Sequence, residues 1–163
     1  MTEVKKIMDT KLFHTDDNEI AEAGEILRNG GLVAFPTETV YGLGASAFDS
    51  DAAKKIYDAK GRPSDNPLIV HICDKGQIKD IAEEIPESAK KVIDNFMPGP
   101  VTIILKKKSV VPNDVTAGLD TVAIRFPLHE TAQKLIKAAG VPIAAPSANL
   151  SGKPSPTKAK HVV

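Results

Sequence analysis

The chain of 163 residues has the length of one domain, and its 42% hydrophobic and 26% charged residues are typical of a globular protein. Basic and acidic residues number 21 each, so a net charge of zero argues against tight binding to a long nucleic acid, although a local basic cluster could hold one nucleotide. A single cysteine, Cys73, excludes an internal disulfide and a multi-cysteine zinc site. No apolar run is long enough to span a bilayer and no signal-peptide region is visible, so we expect a cytoplasmic protein without membrane contact.

Helices and strands alternate in the first half of the chain. Apolar residues at helical spacing predict the helices, and short apolar runs predict buried strands. Capping residues and glycines set the expected ends. The predicted elements are a helix from residues 16–18 to Gly30, a strand over 31–35, a helix from Asp49 or Ser50 to near Gly61, and a strand over 68–72.

The second half continues the alternation. Its predicted elements are a helix over 76–85, a helix from Pro86 with Ala89, Val92, Ile93 and Phe96 facing inward, strands over 101–105 and 121–126, a helix over 129–139, and a strand over 141–145. Together these elements predict one α/β domain with a twisted sheet flanked by helices. Because no helix separates strands 101–105 and 121–126, we expect a mixed sheet with both parallel and antiparallel pairs.

A hydroxyl-rich segment, PTETVYGLG (36–44), follows the first predicted strand. Pro36 ends the strand because it has no N–H to donate. Glycines at the other end allow the backbone to turn tightly or to approach a ligand. Two interpretations stay open, a binding loop that uses Thr37, Thr39 and Tyr41, or a plain strand-exit loop whose threonines cap a following helix.

Two further polar clusters each have two interpretations. Lys60 and Arg62 flank a glycine, and such a pair suits the phosphates of a nucleotide. The alternative is a solvated basic end of a helix. Ser147 and Asn149 follow a buried strand and a proline, where they could contact a phosphate or sugar, or could form a local turn.

Two ionisable residues lie inside predicted strands. Arg125, between Ile124 and Phe126, needs a partner if its face of the sheet is covered. A substrate carboxylate and a structural salt bridge are both candidates for that partner. His71 lies in an apolar strand, where a lone histidine is more often a core residue than a catalyst.

The common catalytic signatures are absent from the sequence. It has no G-x-x-x-x-G-K-[ST], G-x-G-x-x-G, H-E-x-x-H or G-x-S-x-G motif. An enzyme without these motifs would work by positioning and charge stabilisation, as in phosphoryl or nucleotidyl transfer. The residues alone therefore indicate an α/β domain that binds a small anionic ligand.

Five segments resemble one known family. They are PTETVYGLG (36–44), KGRPSDNPLIVHI (60–72), MPGPVTIIL (97–105), TVAIRFP (121–127) and APSANLSGKPSPT (145–157). In this order they are similar to the YrdC/Sua5 family of L-threonylcarbamoyladenylate synthases. The resemblance implies a single YrdC-like domain over residues 1–163 that lacks its C-terminal part, because family members continue with a further strand and an E-S-T-V-type motif.

The resemblance also implies a reaction. The family makes threonylcarbamoyl-AMP from L-threonine, bicarbonate and ATP, with Mg²⁺, and releases pyrophosphate. This is the first step of N6-threonylcarbamoyladenosine formation at position 37 of tRNA, so tRNA-modifying threonylcarbamoyl transferase machinery downstream and a weak RNA contact are expected partners. No residue is expected to bind a metal directly. The implied catalytic residues are Lys60, Arg62, Ser147 and Asn149. The implied ATP-binding residues are Lys60, Arg62, Asn66, Thr121, Ser147 and Ser155. The implied threonine-binding residues are Thr39, His71, Arg125 and Ala145.

Two alternative functions stay open. The carbamoyl-transfer domain of hydrogenase maturation proteins handles a related adenylate, but those proteins carry zinc-finger cysteines and an acylphosphatase domain that this chain lacks. A non-catalytic RNA-binding module would use a concave basic patch built from Lys60, Arg62 and the lysines at 106–108.

Overall fold

The computed structural model describes residues 10–61 and 63–163, and the described strands form one mixed sheet. Its order is β1-β2-β6-β3-β5-β4, in which β3 and β5 are parallel and every other neighbouring pair is antiparallel. This confirms the predicted mixed α/β sheet. The strands are β1 (Val33–Phe35), β2 (Gly42–Ser46), β3 (Ile69–His71), β4 (Thr102–Lys106), β5 (Thr121–Arg125) and β6 (Ile143–Ala145).

The longer helices begin and end where the sequence predicts. Asp16 and Asp49 accept hydrogen bonds from the first turns of α1 and α2, and Gly61 and Gly140 end α2 and α6 with φ of 58° and 71°. No helix of the described residues has the length and apolar character needed to cross a membrane. The helices are α1 (Asp17–Arg28), α2 (Ser50–Lys60), α3 (Ile78–Ile81), α4 (Glu87–Phe96), α5 (Asn113–Thr116) and α6 (Glu130–Ala139), with 3₁₀ turns at Lys75–Gln77 and Ala159–His161.

Each face of the sheet has its own hydrophobic core. On one face α1 and α6 pack against Phe35, Ile143 and Ala145. On the other face α2 and α3 cover the central strands through Ile56, Ile81 and their neighbours. Because side chains alternate along a strand, β6 contributes Ala144 to the second core and its two flanking residues to the first.

Four local predictions were wrong or incomplete. The strand β2 was missed because its sequence, GLGAS, has little apolar alternation. The helix expected over 76–85 is only α3 after a 3₁₀ turn, since Ala82 is extended and pairs with Lys107. Phe96 is 60% exposed rather than inward, and the next residue, Met97, is buried instead. The short helix α5 lies in a segment that was expected to be a loop.

The crossing of α1 and α6 depends on Gly24. A Cβ atom added there would lie 2.7 Å from the carbonyl carbon of Ala138, and backbone cannot move away cheaply. On an exposed helix position Gly→Ala stabilises by about 1 kcal/mol. We expect Gly24→Ala to do the opposite and lower the free energy of unfolding by about 1–2 kcal/mol, measured by urea denaturation.

Ala21→Val on the exposed side of α1 is the matched control. It should cost less than about 1 kcal/mol, because only helix propensity changes there. A stabilising Gly24→Ala would contradict the close packing of the two helices.

Candidate functional site

The loop of residues 36–41, which joins β1 to β2, is held by hydrogen bonds within the loop and by hydrogen bonds to the C-terminal segment. Inside the loop, the hydroxyl of Thr37 donates to the carbonyl of Val40 at 2.7 Å and accepts from the N–H of Thr39 at 3.2 Å. Outside it, the N–H of Tyr41 donates to the carbonyl of Pro156, and the carbonyl of Tyr41 accepts from the N–H of Ala148, both at 2.8 Å. Thr37 therefore shapes the loop, and the main chain of Tyr41 fastens it to the C-terminal segment.

The partner that Arg125 needs is Glu38. One terminal guanidinium nitrogen, Nη2, binds Oε1 of Glu38 and donates to the hydroxyl of Thr39 at 3.2 Å. The two ion-paired side chains are only 12% and 19% exposed. Within the described residues, Nε of Arg125 and Oε2 of Glu38 are buried without a hydrogen-bond partner. Arg125 thus already binds one carboxylate and has a further donor, as bidentate recognition of carboxylates requires.

His71 lies beside Arg125 in the sheet, as a neutral group. The two residues are opposite one another in the parallel pairing of β3 and β5, so their side chains share a face. The ring contacts Phe35 edge to face at a centroid distance of 5.7 Å, and Nδ1 lies 2.9 Å from the carbonyl oxygen of Ile69. Burial, and then the positive charge of Arg125, lower the pKa of His71 to about 4. At neutral pH the imidazole therefore carries no charge.

The second part of the site is the turn of residues 147–153, which packs around Lys60. The ammonium group of this buried lysine donates to the carbonyl oxygens of Ser147 and Asn149, the latter at 2.5 Å. The hydroxyl of Ser147 lies 2.5 Å from Oδ1 of Asn149. The side-chain amide of Asn149 donates to the carbonyls of Leu150 and Lys153 at 2.9 Å. Ser147 and Asn149 therefore lie in a local turn, their contact with a phosphate or sugar stays a prediction, and Lys60 is buried rather than solvated.

A cavity of about 200 Å³ lies against this turn. Its lining is mainly polar, with one lysine and one carboxylate among the described residues, and its size suits part of a nucleotide. A larger, more open hollow of about 530 Å³ includes Asp80 and Glu83, whose charges would repel an anion, so we place the site at the smaller cavity. The lining residues of the smaller cavity are Lys60, Pro63, Asp65, Asn66, Ser147, Asn149, Ser151 and Gly152.

The strand β6 connects the two parts of the site. Its first residue, Ile143, lies opposite His71, and Ser147 follows its end. At the rise of an extended chain, these two positions are roughly 13 Å apart. The buried residue Ala145 lies between them, opposite Ile69.

The predicted site residues thus fall into two connected groups. Thr39, His71 and Arg125 form one group, and Lys60, Asn66, Ser147 and Asn149 surround the cavity. Thr121 pairs with Lys106 at the beginning of β5 and Ser155 is exposed, and neither is among the residues that line the cavity. Arg62 lies outside the described residues.

Sequence reasoning missed two acidic residues. Glu38 is the only carboxylate in the segment 31–44, and the need of Arg125 for a partner was the signal that could have found it. Asp65 was not singled out within the segment of residues 60–72, because its place at the cavity depends on the turn of residues 147–153, which is distant in the chain.

The low pKa of His71 makes folding stability depend on pH. The unfolded chain takes up a proton at His71 near pH 6.5, whereas the folded chain resists it down to about pH 4. The stability that neutral His71 contributes is therefore fully present above pH 6.5 and is lost as the pH falls from 6.5 to 4. It amounts to about 3 kcal/mol at most. We expect the free energy of unfolding, measured by urea denaturation, to fall less steeply between pH 6.5 and 4 in His71→Phe than in the unchanged chain. Equal slopes in the two proteins would contradict this account.

Comparison with known proteins gives the family. The model of the Sua5/YciO/YrdC family, described as "Telomere recombination", matches residues 25–163. The threonylcarbamoyl-AMP synthase of Bacillus subtilis is 61% identical over 154 residues, which are 94% of this chain and 44% of that protein. The putative threonylcarbamoyl-AMP synthase of Methanocaldococcus jannaschii is 37% identical over 93% of this chain and 72% of its own length.

A solved structure agrees with these relatives. The crystal structure of Pyrococcus abyssi Sua5 complexed with L-threonine superposes with a TM-score of 0.89 at 58% identity. The match covers 90% of this chain and 43% of that one, so the chain spans less than half the length of several of the relatives it matches. The family model, the relatives and the solved structure agree, and the chain belongs to the Sua5/YciO/YrdC family.

Proposed function

We propose that this chain forms threonylcarbamoyl-AMP from L-threonine, bicarbonate and ATP, with release of pyrophosphate. The observation that carries the proposal is the 36–41 loop. It contacts the carboxylate-binding Arg125 through Thr39 and the turn of residues 147–153 through Tyr41. A site for an amino acid and a site for a nucleotide are thereby adjacent. The similarity to threonylcarbamoyl-AMP synthases and to the L-threonine complex of Sua5 supports this assignment of substrates.

Threonine would bind at the Arg125 end. Arg125 already binds the carboxylate of Glu38 through Nη2, and the five N–H donors of a guanidinium give it the capacity to bind a second carboxylate, that of threonine. Thr39 is the hydroxyl nearest to that guanidinium. His71 is uncharged at neutral pH and therefore does not repel the ammonium group of an amino acid. The backbone near Ala145 would form the remaining wall.

ATP would bind at the cavity beside the turn of residues 147–153. Lys60 supplies positive charge at its wall, and Ser147, Asn149 and Asn66 supply polar groups. The family resemblance implies Arg62 as a further phosphate ligand. A volume of about 200 Å³ accommodates part of ATP, such as its phosphates, and the rest would extend toward Thr121 and Ser155.

Magnesium would enter with the phosphates. No group of three or more potential ligands among His, Cys, Asp and Glu occurs in residues 10–61 and 63–163. Asp65 and Asn66 line the cavity, however, and Mg²⁺ is commonly bound by one carboxylate, water and substrate phosphates, so this donor set fits. When bound, the ion would offset negative charge on the phosphates.

The proposed reaction has two steps. The ammonium group of threonine first releases a proton to solvent. The resulting amine nitrogen forms a bond to the carbon of bicarbonate as water leaves, which gives N-carboxy-threonine. A carboxylate oxygen of this intermediate attacks the α-phosphorus of ATP while the bond to the pyrophosphate oxygen breaks. The chain contributes by holding the two substrates in line and by stabilising charge on the phosphates.

The product would then serve tRNA modification in the cytoplasm. A threonylcarbamoyl transferase system would transfer the group to adenosine 37, and any direct RNA contact of this chain would be weak. A purely RNA-binding function has less support, because the head groups of Lys107 and Lys108 donate to carbonyl oxygens of Val111 and Lys79. The proposed basic patch is therefore partly committed to the fold.

Release of pyrophosphate tests this function. The unchanged chain should release it only when threonine, bicarbonate and ATP are all present. Arg62→Ala should lower the rate by about 100-fold or more, because a phosphate-binding guanidinium is lost. Arg28→Ala is the matched control, since Arg28 donates to the carbonyls of Ala138 and Ala139 at the end of α6 and is not among the residues that line the cavity. Threonine-independent release, or an unaffected Arg62→Ala, would contradict the proposal.

Substitution of Arg125 should weaken the binding of threonine but not that of ATP. Arg125→Lys retains the charge but loses the fork that binds a carboxylate through two nitrogens. We expect the KM for threonine to rise about 10- to 100-fold while the KM for ATP changes less than about 2-fold. Steady-state kinetics with each substrate varied in turn make the measurement, and an equal rise in both KM values would contradict the assignment.

A further inference from the structure

Lys60 is a lysine in an unusual setting. It is the last residue of α2, and only 4% of its surface is exposed. Lysine is almost never buried so completely unless polar groups compensate its charge, because an ammonium ion loses several kcal/mol of hydration in the interior. The contacts that compensate this charge therefore indicate what the residue does.

Those contacts converge on one turn. The ammonium group donates to the carbonyl oxygens of Ser147 and Asn149. The main-chain carbonyl of Lys60 accepts a hydrogen bond from the N–H of Ser151 at 3.1 Å. A single residue of α2 thus binds three alternate positions of the turn of residues 147–153.

Other contacts of the described residues hold Ser147 and Asn149 unequally. Their side chains bind each other at 2.5 Å, and the amide of Asn149 reaches Leu150 and Lys153 within the same turn. These bonds fix the shape of the turn but do not attach it to the sheet. The attachments are the antiparallel bridge of Ser147 with Gly42, made by the main-chain bonds from Ala148 to Tyr41 and from Leu43 to Pro146, and the three bonds to Lys60. The bridge holds the start of the turn, and the bonds to Lys60 hold Asn149 and Ser151 beyond it.

The direction of the ammonium protons also matters. An ammonium group has three N–H donors, and two of them point at carbonyl oxygens here. Two of the three donors are thereby committed to the turn. We propose that Lys60 is a positioning residue, whose ammonium group holds Ser147 and Asn149 at the nucleotide cavity, so that Lys60 acts on ATP through the turn. This inference rests on the proposed ATP site.

The first test uses amide hydrogen exchange of the ligand-free chain. Lys60→Met removes the ammonium group at similar volume. We expect the amides of residues 147–153 to exchange at least about 10-fold faster, because hydrogen bonds to a charged group are lost. The amides of α1 should be unchanged. Lys55→Met is the matched control, since Lys55 lies on the same helix and donates to the carbonyl of Gly30 at 2.7 Å, away from the turn.

The second test is a double-mutant cycle on ATP affinity. If Lys60 acts through the turn, Lys60→Met should weaken ATP binding about 10-fold in the unchanged chain but only about 3-fold or less when Ser147→Ala is already present. If Lys60 and Ser147 contacted phosphate independently, Lys60→Met would weaken ATP binding by the same factor with and without Ser147→Ala. Lys60→Gln, which retains an N–H donor, replaces Lys60→Met if the latter does not fold.

Three results would overturn the inference. The first is an amide exchange rate in the turn that Lys60→Met does not change, and the second is faster exchange throughout the chain, including α1. The third is an equal loss of ATP affinity from Lys60→Met with and without Ser147→Ala. If the chain without any substitution does not bind ATP, the proposed function itself is refuted. The failure of the inference and the failure of the proposed function are therefore distinguishable.

Discussion

The 36–41 loop is bound to two distant parts of the chain, and the arrangement of the whole site depends on this constraint. Its acidic residue, Glu38, pairs with Arg125, and the main chain of Tyr41 binds Ala148 and Pro156. Ordering a loop between two short strands costs conformational entropy, and these contacts offset that cost. These contacts keep it against the sheet, and they bring residues that are more than 80 positions apart in the chain into one site.

The two buried cations of the site are compensated in different ways, and the difference matches the proposed substrates. Arg125 is paired with a carboxylate, so the Arg125 end is close to neutral overall. Lys60 is bound to main-chain carbonyls, whose dipoles stabilise the ammonium group without cancelling its charge. A zwitterionic amino acid suits the first environment and the strongly anionic ATP suits the second. The fold thus separates the two kinds of charge compensation along β6.

The sequence predicts the parts of this fold that depend on local patterns. The caps Asp16 and Asp49 and the stop at Gly140 are recognisable because capping is a local interaction. The strand β2 is not, because its small residues are specified by the close approach of neighbouring strands, as at Gly44 next to Ile143 and Phe35. The same holds for the site. Residue types indicated Lys60, Arg125 and Ser147, but the pairing of Glu38 with Arg125 and the bonds from Lys60 to the turn join distant positions, which no local pattern encodes.

The central claim is that this one chain joins threonine, bicarbonate and ATP at adjacent sites. Mass spectrometry of the products formed with carbon-13 bicarbonate tests it most directly. The account predicts threonylcarbamoyl-AMP that is one mass unit heavier than the product formed with ordinary bicarbonate. Consumption of ATP without this adenylate, or an adenylate that carries no label, would contradict the account.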